Sequence, residues 1–146
     1  MKIDNLNWKI LKCLQQNARQ SNAEIGRQVG VSSPAVSERI KKMEDLGVIE
    51  SYKTVVSPFE VGFQLKAIIT LRAFMGKLKP FLAKVKTYDE VINCYRITGN
   101  ENIVMEVVLK DQKHLEYFID QLIIYGETKT QIVLSDVVKQ KEVNAI

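Results

Sequence analysis

The segment that most constrains the fold is a short turn, Gly30-Val31-Ser32-Ser33-Pro34, between two segments with helical apolar periodicity. Gly30 fits the left-handed cap at the end of the first segment. Ser33 fits the N-cap of the second and Pro34 its first helical position, where no N–H is needed, and Ser32 is nearly as good a cap. Two short helices joined by a few residues that include a glycine form a helix-turn-helix. The sequence therefore predicts this motif.

Three helices and a strand are predicted around this turn. Asp4 caps the first helix, whose apolar residues recur every four positions. Ser21 and Glu24 form a capping box that opens the second helix. The third helix runs from the turn to Leu46. Residues 48–56, which are β-branched and aromatic, predict a strand in the position of a wing.

The outer face of the third helix has the chemistry of a DNA contact. Small residues in its first turn permit close approach to a major groove, and hydroxyl and ammonium groups reach bases and phosphates. The charge agrees with this, since residues 1–56 hold nine basic and six acidic residues of a chain with net charge +4. An amphipathic helix with a solvated polar face is an equally open alternative. The candidate DNA-binding residues are Arg27, Ser32, Ser33, Pro34, Ser37, Glu38, Arg39, Lys41 and Lys42.

Two of these candidates have a specific alternative. Arg39 lies at the edge of the apolar stripe, so an intramolecular ion pair with Glu24 or Glu44 is as well supported as a DNA contact. Glu38 is either a reader of cytosine or a solvated charge. The sequence leaves both choices open.

Residues 65–146 predict a second domain, which follows a linker with Pro and Gly at 57–64. The predicted elements are a strand at 65–74, a helix at 79–87, strands at 91–98 and 102–110, a helix at 112–125 and a strand at 129–138. This order is the ferredoxin-like β-α-β-β-α-β pattern. The predicted fold class is therefore α+β, with an N-terminal winged helix-turn-helix domain at 1–56 and a C-terminal ferredoxin-like βαββαβ domain.

The first and third strands of this domain predict an oligomer. Both carry apolar residues with poor alternation, as in Ala67-Ile68-Ile69-Thr70-Leu71, and strands that are apolar on both faces are buried on both. Because helices cover only one face of a ferredoxin-like sheet, we expect the other face to pack on a second copy of the chain. A homodimer also places two reading heads on two half-sites of DNA.

Composition excludes several other classes of protein. Hydrophobic residues make up 46% and charged residues 26%, as in ordinary folded domains. No apolar run approaches the ~20 residues of a membrane helix, so no membrane partner is expected, and no secretory signal is expected at the N-terminus. Cys13, Cys94 and His114 are too scattered for a Cys/His zinc site, and no catalytic constellation can be assembled. The sequence predicts no metal, no cofactor and no enzymatic activity.

The ordered set of these parts resembles the Lrp/AsnC family, and the resemblance covers essentially the whole chain. Its N-terminal signatures are Asp4 with Ile10-Leu11 and Leu14, then Arg19 and residues 21–30, and then Val31-Ser32, Val36, Arg39-Ile40, Met43-Glu44 and Gly47-Val48-Ile49. Its C-terminal signature is Cys94-Tyr95-Arg96-Ile97-Thr98-Gly99.

The resemblance implies a cytoplasmic transcription regulator that binds double-stranded DNA as dimers, which often assemble into octamers. It also implies a free amino acid as effector of the C-terminal domain. Asn102 and Ile103 depart from the family pattern, which has Asp and an aromatic residue there, so an amino acid is expected to bind weakly or another ligand to be preferred. The candidate effector-binding residues are Gly99, Asn100 and Asn102 of the hairpin, and Gln131, Val133 and Ser135 of the last strand.

Alternatives remain for both sites. Gly99 has an equally open interpretation as a turn residue with positive φ, and Gln131 and Ser135 as surface polar residues. Siroheme decarboxylases resemble this architecture and are associated with histidines near a cofactor, but this chain offers only His114. A DNA-architectural protein with little sequence preference is the third alternative.

Overall fold

The computed structural model describes residues 3–145, which divide into two compact units. The helical unit comprises residues 3–54 together with 138–145, and the sheet unit comprises residues 55–137. The predicted domain ranges place residues 138–145 with the sheet, whereas in the structure this tail groups with the helices. The cause is a pair of hydrogen bonds, of 3.0 and 2.8 Å, between the Gln15 amide and the backbone of Val143.

The helical unit contains α1 (Asn5–Gln16), α2 (Asn22–Val29) and α3 (Ser33–Asp45). The Asp4 carboxylate accepts from the backbone N–H of Asn7, and the Ser21–Glu24 capping box is complete, so both predicted caps are confirmed. The three helices enclose one small apolar core, in which burial of each large side chain contributes about 1.5–3 kcal/mol. Its buried residues are Ile10, Cys13, Ile25, Val36 and Met43.

The predicted wing strand is wrong. Residues 50–56 are irregular and pair with no strand among the described residues. The segment is held by local contacts instead: the backbone N–H of Val48 donates to the Met43 carbonyl at 2.8 Å, and the Tyr52 hydroxyl donates to the Glu44 carboxylate at 2.8 Å. Partial burial, together with this bond, raises the pKa of Tyr52 to about 12. High β propensity does not form a strand where no partner strand is available.

The sheet unit has the predicted ferredoxin-like order, and the α+β fold class is confirmed. Its sheet is antiparallel with strand order β2-β3-β1-β4, so the two central strands are β1 and β3. A single 3-10 turn at Phe59–Val61 precedes the sheet, and another at Val85–Thr87 follows α4. The elements are β1 (Leu65–Ala73), α4 (Leu78–Lys84), β2 (Val91–Arg96), β3 (Ile103–Leu109), α5 (Gln112–Leu122) and β4 (Gly126–Ile132).

One face of this sheet packs on the helices. Phe81 of α4 stacks at a tilt on Tyr125, with 5.4 Å between ring centroids, and Tyr88 meets Phe118 of α5 edge-on at 5.3 Å. Both geometries are those that aromatic pairs prefer. The strand residues that are fully buried under these helices are Ala67, Ile69, Leu71, Ile103, Met105, Val107 and Leu109.

The other face, which we call the open face, is not the apolar surface that the sequence predicted. Its central strands do contribute Ile68, Val104 and the buried Val108, but these alternate with charged and polar side chains. Lys66 lies between the carboxylates of Glu106 and Asp136, at 2.7 and 2.8 Å. In the sequence, the aliphatic residues Ile68, Val104 and Val108 stand between the apolar core positions, so the alternation of the two faces is hard to recognise. The homodimer therefore stays a prediction, because the sheet is not apolar on both faces as the argument for a dimer required.

Candidate nucleic-acid interface and effector cleft

The turn between α2 and α3 is compact. Gly30 has φ +79° and caps α2, and the backbone N–H groups of Gly30 and Val31 both donate to the Gly26 carbonyl. A Cβ on Gly26 would lie 2.5 Å from the Val31 carbonyl oxygen, so the close approach requires a glycine at this position. Ser32 is the N-cap of α3, which settles the choice between the two serines. Pro34 is then the second helical residue.

The outer face of α3 is exposed, and its polar side chains have no bonding partner among the described residues. Ser33, Ser37 and Lys41 follow one another at intervals of four and form one stripe, while Glu38 and Lys42 lie beside it. None of these five side chains forms a hydrogen bond or an ion pair with any residue that the structure describes. These five predicted DNA-binding residues therefore present free hydroxyl, carboxylate and ammonium groups at the surface.

Arg39 differs from its neighbours on α3. Its guanidinium donates to the Asp4 carboxylate at 2.7 Å and to the Asn7 side-chain carbonyl at 2.9 Å. The bond from Arg39 holds the pKa of Asp4 below its usual value. The predicted intramolecular ion pair exists, but Glu24 and Glu44 are the wrong partners. Arg39 thus holds α3 to the start of α1, while Arg27, the remaining candidate, is exposed on the last turn of α2.

The hairpin between β2 and β3 places the first group of effector candidates. Gly99 has φ +109°, and Asn100 is exposed beside it. The Asn102 side-chain carbonyl accepts from the backbone N–H of Ala73 at 2.7 Å. The backbone N–H of Asn102 donates to the Leu71 carbonyl at 3.0 Å. Asn102 therefore ties the hairpin to the end of β1, and its Oδ1 atom is committed to that bond.

An open cleft of about 220 Å³ lies beside this hairpin on the sheet unit. Two ion pairs cross it: Arg72 with Glu127, and Lys129 with Glu101 at 2.7 Å. The bond from Lys129 lowers the pKa of Glu101. Both signs of charge are thus close together, as a zwitterion requires. The residues that line the cleft are Thr70, Arg72, Asn100, Glu101, Glu127, Thr128 and Lys129.

Only Asn100 of the six predicted effector residues lines the cleft. Gln131 is exposed on β4 opposite Ile68, and the backbone N–H of Val133 extends the ladder to the Lys66 carbonyl, whereas Ser135 lies beyond the strand. The prediction began β4 three residues too late and ended it six residues too late, since the strand is Gly126–Ile132. The opposite charges at positions 72 and 127 were the available signal, because the correct register makes them direct cross-strand partners.

His114, on which an enzymatic alternative depended, has a structural role. Its Nδ1 atom accepts from the backbone N–H of Lys110 at 3.1 Å, and Nε2 lies 2.9 Å from the Glu90 carboxylate. Nδ1 is therefore bonded to the segment before α5, and Nε2 to the residue that precedes β2. Among the described residues, no three His, Cys, Asp or Glu side chains are grouped closely enough to hold a metal ion. None of the helices in residues 3–145 is long and apolar enough to cross a membrane.

Comparison with known proteins identifies the family of both domains. Residues 3–44 match the model of the AsnC-type helix-turn-helix domain, and residues 66–143 match that of the Lrp/AsnC ligand binding domain. The chain is 35% identical over 121 residues to the HTH-type transcriptional regulator Ptr1 of Methanocaldococcus jannaschii, covering 83% of this chain and 82% of that protein. It is 32% identical over 142 residues to the regulator LrpB of Bacillus subtilis, covering 95% and 93%.

A solved structure is similar over nearly the same length. It is that of a Neisseria meningitidis transcriptional regulator in complex with L-Met, with a TM-score of 0.89 and 25% identity over 94% of each chain. The two family models, the relatives above 30% identity and the similar fold all indicate the same family. This chain is a transcriptional regulator of the Lrp/AsnC family, with a helix-turn-helix domain and a ligand-binding domain.

Proposed function

We propose that this protein regulates transcription from specific sites on double-stranded DNA, which α3 reads in the major groove, and that it acts in the cytoplasm. The observation that carries the proposal is the stripe of α3 side chains without intramolecular partners. Ser33 and Ser37 supply hydroxyls for base edges, while Lys41 and Lys42 neutralise phosphates. Arg39 is assigned to the fold and not to DNA.

The test separates the two kinds of interaction. K41Q/K42Q should weaken binding to every DNA sequence and lower the salt slope of log K by about one unit for each phosphate that is no longer neutralised. S33A/S37A should instead relax the preference among sequences selected from a random library. The matched control is K110Q/K113Q, which removes two exposed lysines of the sheet unit and should bind DNA like the parent.

Two results would contradict this assignment. If both α3 variants bind like the parent, α3 is not the reading helix. If the parent itself shows no preference among sequences, the protein is architectural and not sequence-specific. Because Ser32 and not Ser33 caps α3, the serine variant keeps the cap, and its thermal unfolding should be unchanged.

We infer further that the cleft beside the hairpin binds a small effector with both charges, such as an amino acid. Arg72 and Lys129 face Glu101 and Glu127 there, so each end of a zwitterion meets an opposite charge. The L-Met complex of the neisserial relative supports this class of ligand. Asn102, where the family has a carboxylate, does not line this cleft, so its amide does not alter the charges that meet the zwitterion.

Calorimetric titration of a panel of amino acids tests the effector site. R72Q/K129Q should abolish binding of any amino acid that the parent binds, whereas K110Q/K113Q should not change it. Asn102→Asp, which lies outside the lining of the cleft and keeps an oxygen beside the Ala73 N–H, should leave this binding unchanged. Binding that survives R72Q/K129Q would place the effector elsewhere.

The assembly we propose is a homodimer that associates further, to an octamer in the pattern of the family. A dimer suits a helix-turn-helix because two reading heads meet two half-sites about one helical turn apart. Sedimentation at micromolar concentration tests it, and a monodisperse monomer would overturn it.

A further inference from the structure

The sheet unit carries a second concentration of positive charge, away from the open face. Lys77, Lys79, Lys84 and Lys86 lie on α4 and the turns at its two ends, and all four are exposed. We call them the α4 lysine surface. None of the four forms an ion pair with an acidic side chain in the part of the chain that the structure describes. Lys84 alone has a contact, with its Nζ atom 5.3 Å from the Tyr88 ring centroid.

The packing of α4 explains why these lysines point outward. The opposite side of the helix inserts Phe81 and Val85 into the sheet core, where both are buried, and Leu78 and Leu82 pack beside them. Helical periodicity places Lys77 and Lys84 on one flank of this buried stripe and Lys79 and Lys86 on the other flank, and all four are exposed. They cannot move inward without displacing this core.

The chain is basic through the whole of α4. From Val61 to Tyr88 it has six basic residues and no acidic one, and the next acidic residues are Asp89 and Glu90. Two of the six, Lys66 and Arg72, are ion-paired on the sheet. The remaining four are the α4 lysine surface, which therefore differs from the ion-paired Lys66 and Arg72 of the sheet.

We propose that the α4 lysine surface is a second, sequence-independent contact for the DNA backbone. This inference rests on the proposed function, because DNA held by α3 supplies phosphates at high local concentration to the rest of the same protein. Lys77 and Lys84, like Lys79 and Lys86, are seven residues apart, or about 10 Å along a helix. Two such pairs suit a duplex that carries one charge per ~1.7 Å of its axis.

The chemistry of the surface indicates phosphate and not bases as its target. Lysine ammonium groups on flexible stems act as point charges and lack the planar fork with which arginine recognises guanine. Serine, asparagine and glutamine are also absent from residues 77–86. Such a surface adds affinity for flanking DNA of any sequence, and that affinity depends strongly on salt.

The experiment compares a short and a long duplex. On a single site of about 20 base pairs, K77Q/K79Q/K84Q/K86Q should bind like the parent. On about 150 base pairs, where flanking DNA can reach further surfaces, the salt slope of the variant should fall by about 2–4 units per protomer. The charge-matched control K110Q/K113Q/K139Q/K141Q removes four other exposed lysines and should keep the parental slope. K77R/K79R/K84R/K86R retains the charge and should also keep it.

Each result decides between outcomes. Equal slopes for the parent and the α4 variant on long DNA would overturn this inference, and so would an equal fall in the control, which would reflect net charge alone. If only binding to phosphatidylglycerol vesicles falls in the α4 variant, the surface is a membrane contact and the DNA assignment is wrong. Failure of the proposed function is distinct, because the parent would then not bind the short duplex.

Discussion

The outer face of α3 and the open face of the sheet both carry charged side chains, but only those of the sheet are paired with one another. Lys66 contacts Glu106 and Asp136, and the Arg72–Glu127 pair spans β1 and β4. On α3, by contrast, Lys41 and Lys42 have no carboxylate partner among the described residues, although Glu38 lies on the same face. Similar residue types therefore serve two different purposes.

The difference shows that composition alone does not identify a binding surface. Opposite charges that are paired across strands help to fix the register of a sheet. Two like charges at such positions, or a charge without its partner, destabilise the sheet. Charges without partners contribute little to stability and remain available to a ligand. We therefore expect substitutions of Lys66 and Glu106, which do not line the effector cleft, to change the free energy of unfolding, and those on α3 to change DNA affinity. The following predictions test this division.

The largest expected effect is at the turn that supports α3. Gly26→Ala places a Cβ 2.5 Å from the Val31 carbonyl oxygen, so the α2–α3 turn must open. We expect a decrease of about 1–3 kcal/mol in the free energy of unfolding despite the better helix propensity of alanine, together with loss of DNA binding. Urea unfolding measures the first effect. The control is Gly30→Asn. A Cβ at position 30 would meet open space, and asparagine tolerates the positive φ there, so this variant should be destabilised less.

The second prediction concerns Arg39, the residue of α3 that forms an ion pair with Asp4. Arg39→Gln removes the bond to the Asn7 side-chain carbonyl, and Asn7 is only 5% exposed. The buried acceptor left without a donor should cost about 1 kcal/mol of unfolding free energy. Specific DNA affinity, measured where both proteins are folded, should change less than in K41Q/K42Q. Weaker DNA binding with unchanged stability would make Arg39 a DNA contact instead.

The third prediction makes the same test on the sheet. Lys66→Met leaves Glu106 and Asp136 facing each other without a cation and should lower the free energy of unfolding by about 1 kcal/mol. The matched control is Lys41→Met on α3, which removes an exposed lysine without a partner and should change stability by less than about 0.5 kcal/mol. Equal destabilisation of the two variants would contradict the comparison.

The sequence predicted those features that depend on neighbouring residues. The caps at Asp4 and Ser21 and the turn at Gly30 involve contacts within three or four residues, so local patterns specify them. The order of strands and helices followed from apolar periodicity in the same way. These signals together placed α3 and its outer face correctly.

Features that depend on distant residues were predicted poorly. The start of β4 is fixed where Gly126 passes so close to Arg72 that a Cβ would lie 2.3 Å from the Arg72 carbonyl oxygen. The partners of Arg39 are 32 and 35 residues away in the chain. Such pairings are decided by tertiary packing, which a single sequence does not display. The cleft was missed for this reason, because its lining comes from three separate segments.

The smallest effect that we predict is in the pH dependence of stability. Hydrogen bonds from Lys66 and then from Asn93 hold the pKa of Glu106 below its usual 4.5 in the folded protein. A carboxyl whose pKa is lower when folded stabilises the protein above its unfolded pKa, and this contribution is lost as the pH falls through the folded value. The decrease therefore begins below about pH 4.5.

Glu106→Gln should remove this contribution and flatten the fall in unfolding free energy between neutral and acidic pH. The difference from the parent should be well below about 1 kcal/mol, because the pair is partly exposed and water screens it. Urea midpoints measured across that range for the parent, Glu106→Gln and Lys66→Met give the answer. Glu106→Gln keeps the pair of Lys66 with Asp136, whereas Lys66→Met leaves both carboxylates without a cation, so the curve of Lys66→Met should flatten more. Curves parallel to that of the parent would show that the open-face charges contribute no more to stability than the free charges of α3.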